Sequence, residues 1–185
     1  MKNHRRQFLK TAGLSSAVAF LSPNALAMES EGNEDSGFVT NPDNHQTYYI
    51  AGRQAPVTIV VDKSRKGVKT ISFCYEDIRP GDGVPVHKHL NEIEMIYIQG
   101  GGGVFTLGDK TFPVQDGSAA YVPKGVWHGL QNTGPSTIRM MFSYAPSGFE
   151  DYFREIGVPK GVEWKEKSDE EWAAISKKYG IVMKR

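Results

Sequence analysis

From Thr47 to Tyr144 the chain consists of short runs in which apolar and polar residues alternate, separated by Gly, Pro, Asn and Asp. Such alternation places successive side chains on opposite faces of a strand. Because the runs follow one another closely with no helical pattern between them, we predict an all-β fold, an antiparallel sandwich or barrel. The predicted strands are TYYIAG, PVTIVVD, GVKTISFCYEDI, IEMIYIQ, GVFTLG, KTFPV, SAAYVP, WHGLQN and STIRMMFSY.

Two turn signals mark places where the predicted strands reverse direction. Gly108-Asp109 lies between the runs VFTL and KTF, and such a pair favours a tight hairpin. The sequence NTGP at 132–135 is rich in residues that favour turns and predicts a second hairpin.

After residue 145 the apolar period lengthens from two to about 3.6 residues, which is typical of amphipathic helices. We therefore predict two C-terminal helices, and we expect their apolar stripes to pack against the β region rather than to bind a ligand. The first stripe comprises Phe149, Tyr152, Phe153 and Ile156. The second helix begins with the capping-box sequence Ser168-Asp169-Glu170-Glu171 and continues through Trp172, Ile175 and Tyr179.

Charge is distributed unevenly along the 185 residues, although the formal net charge of the whole chain is only +1. The first 27 residues contain four basic residues and no acidic one, which leaves 18 basic and 21 acidic residues in the remainder. A mildly acidic remainder without a basic cluster argues against nucleic acid or an anionic membrane as a partner.

The first 27 residues have the organisation of an export signal. A basic segment, NHRRQFLK, precedes an apolar segment that is too short and too interrupted by Pro23 to span a bilayer. Ala25-Leu26-Ala27 has the small-x-small pattern of a signal-peptidase site. Arg5-Arg6 followed by Gln-Phe-Leu-Lys resembles the bacterial twin-arginine motif, with an ordinary Sec signal as the alternative. We expect a periplasmic or secreted protein that engages the twin-arginine export machinery and has no stable membrane association after cleavage.

These patterns divide the chain into four predicted segments. Residues 1–27 are a signal peptide, and residues 28–46, which are acidic and rich in Gly and Asn, are a flexible leader. Residues 47–145 form the β-barrel, and residues 146–185 form a helical segment that packs on it.

Cys74 is the only cysteine, so no intrachain disulfide can form. It lies in an alternating stretch and is predicted to be a buried strand residue. No neighbouring residue supplies the base that a nucleophilic thiol needs.

His87 and His89 are separated by one residue, so both imidazoles lie on the same face of an extended strand. Taken alone, the pair fits either two ligands of one metal ion or the charged end of a strand. A carboxylate from the next strand and a third imidazole from a distant one would complete a mixed nitrogen and oxygen ligand set.

The spacing around these histidines is more specific than the pair itself. The first pattern is Gly81, five residues, His87, one, His89, four, Glu94, six, Gly101; the second is Gly117, five residues, Pro123, one, Gly125, two, His128, three, Asn132. These stretches resemble the two signature motifs of the cupin superfamily at all ten specified positions. The 15 residues between them, 102–116, resemble the short spacing of small single-domain bacterial cupins.

The resemblance implies a cupin-type β-barrel, or jelly roll, of short antiparallel strands that encloses one metal ion. Carried over by position, the ligands would be His87, His89, Glu94 and His128, and the cofactor one divalent transition metal. Mn or Fe is favoured because a twin-arginine substrate folds before export, while Ni, Cu or Zn fit the same ligands. Glu92 falls outside the motif spacing, so we predict an outer-shell or surface role for it.

The residues around the ligands carry further expectations. The motif glycines stand where the chain turns sharply, Asn132 is predicted to be a turn residue, and the second ring nitrogen of each histidine should bond a carbonyl or carboxylate oxygen. Ile96 and Ile98 share a face with Glu94 and predict an apolar cavity. Additional wall residues are expected from Phe105, Leu130, Met140 and Phe142.

The segment SYAPSGFEDYFREIG resembles the C-terminal part of bacterial cupins grouped with the quercetin 2,3-dioxygenases. This resemblance implies an oxygenase that acts on a small aromatic or enol-type substrate with O2, with Glu94 as ligand and catalytic base. The alternatives are a metal-dependent lyase or isomerase and a non-catalytic periplasmic metal- or ligand-binding protein. A homodimer that exchanges an edge strand from residues 47–61 is a further open alternative.

Overall fold

The structure, a computed structural model, describes residues 37–50, 56–65 and 68–184. The predicted signal peptide and residues 28–36 of the predicted leader lie outside these ranges. The described part of the leader contains a short 3-10 helix, Pro42–Asn44, and the first strand begins at Gln46. No helix within the described ranges combines the length and the apolar character needed to cross a bilayer.

Short strands dominate the described chain. The first six are β1 (Gln46–Ile50), β2 (Pro56–Val61), β3 (Phe73–Ile78), β4 (Gly83–His89), β5 (Ile93–Gln99) and β6 (Gly102–Leu107). They are followed by β7 (Lys110–Gln115), β8 (Ala119–Val122), β9 (His128–Gln131) and β10 (Ile138–Ala145). The C-terminal part contains α1 (Glu150–Ile156), β11 (Gly157–Val158), α2 (Asp169–Tyr179) and β12 (Ile181–Met183).

Over the described ranges the strands form two antiparallel sheets. One has seven strands in the order β11-β1-β2-β3-β10-β5-β8, and the other has five in the order β12-β4-β9-β6-β7. The predicted all-β architecture of short antiparallel strands with two C-terminal helices is confirmed. Strands β1 and β2 pair with each other within one chain. This pairing does not test the homodimer, in which residues 47–61 would be exchanged between two chains.

Alternation along the strands builds the core between the two sheets. In β5 and β10 every second residue is buried, so their inward faces carry Ile96, Ile98, Met140 and Phe142. Phe105 and Leu130 contribute to the same core from the five-stranded sheet. Cys74 is fully buried on β3 and its pKa is raised by burial, which agrees with the predicted structural role.

The first predicted hairpin is confirmed and the second is wrong. Leu107 pairs with Lys110, so Gly108-Asp109 is the turn between β6 and β7. Residues 132–135 instead cross from β9 in one sheet to β10 in the other. Turn residues indicate a change of direction but not which strands pair, because pairing depends on contacts distant in sequence.

Asn132 is buried in this crossover, and its side chain forms hydrogen bonds to three backbone groups instead of only favouring a turn. Its amide nitrogen donates to the carbonyl oxygens of Ile78 and Ser136, at 2.9 Å each. Its Oδ1 accepts from the backbone N–H of Gly134 at 3.0 Å. The second motif therefore ends in a side chain that holds the crossover in place.

The motif glycines occupy the turns expected of them: Gly81, Gly101, Gly117 and Gly125 all have positive φ angles, between 68° and 86°. The turn at Gly125 also joins the two motifs, because its backbone N–H donates to the carbonyl oxygen of His89 at 2.6 Å. The approach of β9 is thereby fixed relative to the histidine strand.

Both predicted helices are present, and the capping box of α2 forms as expected. The Ser168 hydroxyl accepts from the N–H of Glu171 at 3.2 Å, and the Glu171 carboxylate accepts from the N–H of Ser168 at 2.7 Å. The same segment also contains two strands that the sequence pattern did not indicate. Strand β12 pairs with β4, directly beside His87 and His89.

Candidate metal centre

The two sheets bring the four predicted ligands together at one point of the interior. His87 and His89 lie on the inward face of β4, and His128 is the first residue of β9 beside it. Glu94 reaches the same point from β5 in the opposite sheet. All four side chains are buried, and within the described residues their ligand atoms lie within 4.8 Å of one another. We call these four residues the metal cluster.

The distances inside the metal cluster are those of ligands around one ion. The Nε2 atoms of His87 and His89 are 3.1 Å apart. Glu94 Oε2 lies 2.8 Å from His128 Nε2 and 3.5 Å from His89 Nε2. Metal–nitrogen bonds of about 2.1 Å place neighbouring ligands of an octahedral ion about 3 Å apart. The cluster therefore has the dimensions that a single divalent ion requires.

Hydrogen bonds to the outer ring nitrogens fix two of the imidazoles. His87 Nδ1 lies 2.8 Å from the carbonyl oxygen of Pro85, and His128 Nδ1 lies 3.0 Å from that of Val126. Since a carbonyl only accepts, each Nδ1 carries a proton, which leaves Nε2 as the ring nitrogen that can offer a lone pair to a metal ion. The predicted outer bonds are present for these two histidines, whereas His89 Nδ1 has no hydrogen-bond partner among the described residues.

Two atoms in the cluster show that a cation fits there. His128 Nε2 and Glu94 Oε2 are buried and 2.8 Å apart, yet neither makes an aligned hydrogen bond within the described chain. In the neutral ring with its proton on Nδ1, His128 turns a lone pair toward the Glu94 carboxylate, which is unfavourable unless a proton or a metal cation lies between the two atoms. Three imidazole nitrogens and one carboxylate oxygen form a donor set suited to a divalent transition metal.

Electrostatics within the cluster favour the protonation states that ligation needs. Burial, followed by the proximity of His128 and His89, lowers the pKa of His87 to about 3 and keeps this imidazole neutral. Burial acts to raise the pKa of Glu94, but the contacts with His128 and His89 outweigh it and lower that pKa to about 2. Glu94 is thus held as a carboxylate.

Tyr144 supports Glu94 from the neighbouring strand β10. Its pKa is raised well above the usual value, first by burial and then by the charge of Glu94, to which its hydroxyl is hydrogen-bonded. The register pairs Tyr144 directly with Glu94. Tyr144 was not among the predicted site residues, although the period-two alternation of β10 that indicated Met140 and Phe142 continues to it.

A cavity of about 310 Å³ extends from the metal cluster into the barrel. His87, Glu94 and His128 line it, and its wall is otherwise mainly apolar and aromatic. The predicted wall residues Ile96, Phe105, Leu130, Met140 and Phe142 all line the cavity, whereas Ile98 is buried in the core without lining it.

The C-terminal segment forms one side of this cavity. The helical stripes pack into the core as predicted, with Phe149, Ile156 and Ile175 among its buried residues, and several of their side chains also line the cavity. The residues that line the cavity from this segment are Phe149, Tyr152, Phe153, Ile156, Trp172, Ser176, Ile181 and Met183.

Glu92 does not belong to the metal cluster. Among the described residues, the candidate metal-binding group includes Glu94 but not Glu92. Glu92 is nevertheless buried, with only 9% of its surface exposed, so it is not a surface residue. Burial raises its pKa, with the charge of Lys124 acting in the opposite direction. The placement agrees with the choice of Glu94, whose role as a ligand stays a prediction.

The sequence and the fold are similar to known proteins. The family Cupin_2, described as a cupin domain, matches residues 74–144. The chain is 33% identical over 69 residues to an "Oxalate-binding protein" of Thermotoga maritima and 33% identical over 87 residues to an uncharacterized protein of Methanocaldococcus jannaschii. The first match covers 37% of this chain and 57% of the relative, and the second covers 46% and 69%.

Among solved structures, the chain is similar to one described as a predicted oxalate decarboxylase from Thermotoga maritima. The TM-score is 0.52 at 24% identity, and the match covers 59% of this chain and 99% of the other. At this identity the likeness shows a shared fold and carries no information on the substrate.

Proposed function

The chain belongs to the cupin superfamily, and from this premise we propose that it is an exported mononuclear metalloprotein, an oxygenase of small aromatic or enol-type substrates. The observation that supports the proposal best is the metal cluster itself. Its four buried donors converge on one point, and that point opens onto an apolar cavity. A reactive centre beside an apolar cavity suits a flat organic substrate better than a sugar phosphate.

His87, His89, Glu94 and His128 would hold the ion. A divalent transition metal, when bound, would supply Lewis acidity toward an enol oxygen and, where redox-active, the electron exchange that lets O2 react with an enolate. The cavity wall would orient the substrate and exclude water. Aromatic side chains such as Phe105, Phe142 and Phe149 offer faces and edges against which a planar ring can stack.

Glu94 would act as a base only after it loosens from its neighbours. A carboxylate with a pKa of about 2 is a weak base near neutral pH, because proton transfer to it is unfavourable. Release of the contacts with His128 and His89 would raise that pKa and let the carboxylate take an enol proton. Tyr144 would keep the carboxylate in place during this exchange.

A specific observation favours one alternative, the non-catalytic binding of a small ligand. The relative from Thermotoga maritima is described as an oxalate-binding protein, and binding alone needs nothing beyond the same ion. A lyase or isomerase would use the Lewis acidity without O2. These alternatives differ from the oxygenase in what happens to the substrate and to O2.

The experiment measures O2 uptake by the full chain loaded separately with Mn, Fe, Ni, Cu and Zn, with metal content determined by elemental analysis. Flavonols and β-diketones are the substrates, and His128→Ala is the matched variant without a complete ligand set. We expect metal-dependent O2 uptake with at least one of them. Turnover under anaerobic conditions would indicate a lyase or isomerase, and ligand recovered unchanged would indicate a binding protein.

Export through the twin-arginine route is part of this proposal and has a separate test. Fractionation of cells that express the full chain should place it in the periplasm or medium, and R5K together with R6K should retain it in the cytoplasm. Protein folded before export would carry metal acquired in the cytoplasm, which favours Mn or Fe over Cu or Zn. Sedimentation of the exported protein would decide whether it forms the proposed homodimer.

A further inference from the structure

The inward stripe of α2 contains a serine among apolar and aromatic residues. One face of the helix, at positions i, i+3, i+4 and i+7, carries Trp172, Ile175, Ser176 and Tyr179. Ile175 is buried in the core, and the Tyr179 hydroxyl donates to Glu155 Oε2 at 2.7 Å. Trp172 and Ser176 instead line the cavity. The helix therefore presents an indole and a hydroxyl group to the space in which a substrate binds.

Helix α2 ends beside the metal cluster and begins farther from it. Its C-terminal end is fixed next to His89, because the N–H of Leu90 donates to the carbonyl oxygen of Gly180 at 2.8 Å. With a rise of about 1.5 Å per residue, Ser176 and Trp172 lie about 6 and 12 Å from Gly180 along the helix axis. Since both residues line the cavity, they form its wall at increasing distance from the end fixed beside His89.

The exposure of the lining residues indicates where the cavity opens. Most of the lining side chains are buried, but Pro85 on β4 is exposed and Met183 on β12 is 42% exposed. Across from them on α2, Trp172 and Ser176 are half-buried. The mouth therefore lies between α2 and the paired strands β4 and β12. A molecule that extends from the ion to this mouth passes Trp172 and Ser176.

Both α2 side chains can form hydrogen bonds with such a molecule. The Nε1–H of Trp172 only donates, whereas the hydroxyl of Ser176 donates or accepts. Neither group bonds another side chain or backbone group among the described residues. The indole of Trp164, by contrast, donates to the carbonyl oxygen of Ile156 at 3.0 Å. Because residues four apart on a helix are neighbours, the two groups can reach the same atom of a ligand.

The charges of the lining residues limit which ligand group fits there. Among the described residues that line the cavity, none is Lys or Arg. A ligand carboxylate or phosphate would therefore lose hydration without gaining a cation from the wall. A hydroxyl group can accept from the N–H of Trp172 and donate to Oγ of Ser176, which completes the hydrogen bonding of all three groups.

We propose that Trp172 and Ser176 form a subsite that binds an uncharged hydroxyl group of the substrate on the α2 side of the cavity. The two residues determine specificity, because they favour a compound whose hydroxyl lies remote from the atoms that bind the ion over one that lacks it or carries a carboxylate there. The choice of flavonols as probes rests on the proposed function above, and the subsite rests on the positions of the two residues.

Binding to Zn²⁺-loaded protein under anaerobic conditions tests the subsite without any need for turnover. The probes are 3-hydroxyflavone, 3,4′-dihydroxyflavone and 4′-carboxy-3-hydroxyflavone, which differ only at the ring remote from the enol. We expect wild-type protein to bind the 4′-hydroxy compound about 10-fold more tightly than 3-hydroxyflavone, since each neutral hydrogen bond contributes roughly 2- to 10-fold. The 4′-carboxy compound should bind more weakly than both.

Two variants each remove one of the hydrogen-bonding groups. Ser176→Ala removes the hydroxyl, and Trp172→Phe removes the N–H and keeps an aromatic ring. Each should lower the preference for the 4′-hydroxyl by roughly 2- to 10-fold without changing the zinc content, and the double variant should abolish the preference. Tyr179→Phe is the matched control, because it removes a hydroxyl from the same face of α2 that is bonded to Glu155, and it should keep the preference. If the variants with Phe at position 172 do not fold, Ser176→Ala decides the test.

Four results would overturn the inference: equal affinity of wild-type protein for the first two flavonols, tighter binding of the 4′-carboxy compound, an unchanged preference in Ser176→Ala, or loss of the preference in the Tyr179→Phe control. O2 uptake is measured separately on the same proteins loaded with Mn or Fe. A preference that depends on Ser176 without any O2 uptake would refute the oxygenase and leave the subsite standing. O2 uptake without the preference would do the reverse.

Discussion

Two polar clusters in this small barrel differ in their burial and in how their atoms are partnered. In the metal cluster, Glu94 Oε2 and His128 Nε2 face each other without an aligned hydrogen bond. A second group, which we call the helix-anchoring network, joins the end of β2 to α1. It consists of Asp62, Lys63, Glu150, Asp151 and Arg154.

Every carboxylate of the helix-anchoring network is paired inside the protein. Asp62 accepts from the Ser64 hydroxyl at 2.5 Å and from Arg154. Asp151 lies 2.7 Å from Arg154 Nη1 and 2.5 Å from Lys63 Nζ, and Glu150 accepts from the N–H of Gly148 at 2.7 Å. A satisfied cluster completes its bonding on folding and is structural, whereas a convergent cluster with unsatisfied acceptors needs a ligand.

The largest expected effect is the loss of the metal site on truncation of one ligand. His128→Ala removes one of four donors, and the loss should exceed the roughly 10- to 100-fold that outer-shell changes cost in metal affinity. Bound metal should fall from about one ion per chain to near zero after dialysis, as elemental analysis will show. Added metal, which at 100-fold above Kd stabilises wild-type protein by about 2.7 kcal/mol, should no longer raise the thermal midpoint. Full metal occupancy in the variant would contradict the assignment.

The next effect is on folding stability and leaves the metal site unchanged. Arg154→Met leaves the Asp62 carboxylate, whose side chain is 4% exposed, without its cation. Removal of one partner of such a pair costs about 3 kcal/mol, measured as the free energy of unfolding in urea. Arg139→Met is the matched control, because Arg139 bonds Asp77 at two distances of 2.7 Å on the surface. The control should cost no more than about 1 kcal/mol. Reduced metal content in Arg154→Met would show that the two clusters are coupled.

The same contrast explains how much of the molecule could be predicted from its sequence. The metal cluster was predictable because its residues resemble the two cupin motifs, whose spacing is visible in the linear sequence, whereas the histidine pair alone left two interpretations open. The alternating strands were predictable for a similar local reason. Strand β12 was not, because three residues after Gly180 carry no period and their pairing with β4 is a contact distant in sequence.

Glu76 and Tyr144 show a second limit of sequence patterns. An acid within SFCYEDI gives no sign of whether it lines a cavity, since that depends on the opposite sheet and on the C-terminal helices. The strand phase placed Glu76 on the same face as Cys74, but only the tertiary structure shows that this face is cavity wall. The helical stripes were interpreted as packing for the same reason.

A smaller effect concerns the pH dependence of stability and belongs to the helix-anchoring network. Burial acts to raise the pKa of Asp62, but the bonds from Ser64 and Arg154 outweigh it and the net pKa is lowered. A lowered native pKa contributes stability above the ordinary value of about 3.9, and this contribution is lost as the pH falls through the native pKa. Asp62→Asn should therefore be less stable than its parent by about 2 kcal/mol at pH 7, and the difference should shrink toward pH 3. The Asp62→Asn protein and its parent should both carry His128→Ala, so that release of metal at low pH does not affect the measured stability. A stability difference between them that grows at low pH would contradict the predicted sign.

The smallest expected effect separates the two neighbouring glutamates. Because burial raises the pKa of Glu92, its ionised form is disfavoured in the folded protein, and Glu92→Gln should leave stability unchanged or raise it by up to about 1 kcal/mol. Metal affinity should change by less than the roughly 10-fold that loss of an outer-shell partner costs, since Glu92 lies outside the group of converging donors.

Glu94→Gln is the matched variant and should lose more affinity than that, because an amide oxygen is a neutral and weaker ligand than a carboxylate. Calorimetric titration of both variants with Zn²⁺ and Mn²⁺ gives the comparison directly. A larger loss in Glu92→Gln than in Glu94→Gln would reverse the assignment, because the residue two positions earlier would then supply the oxygen donor.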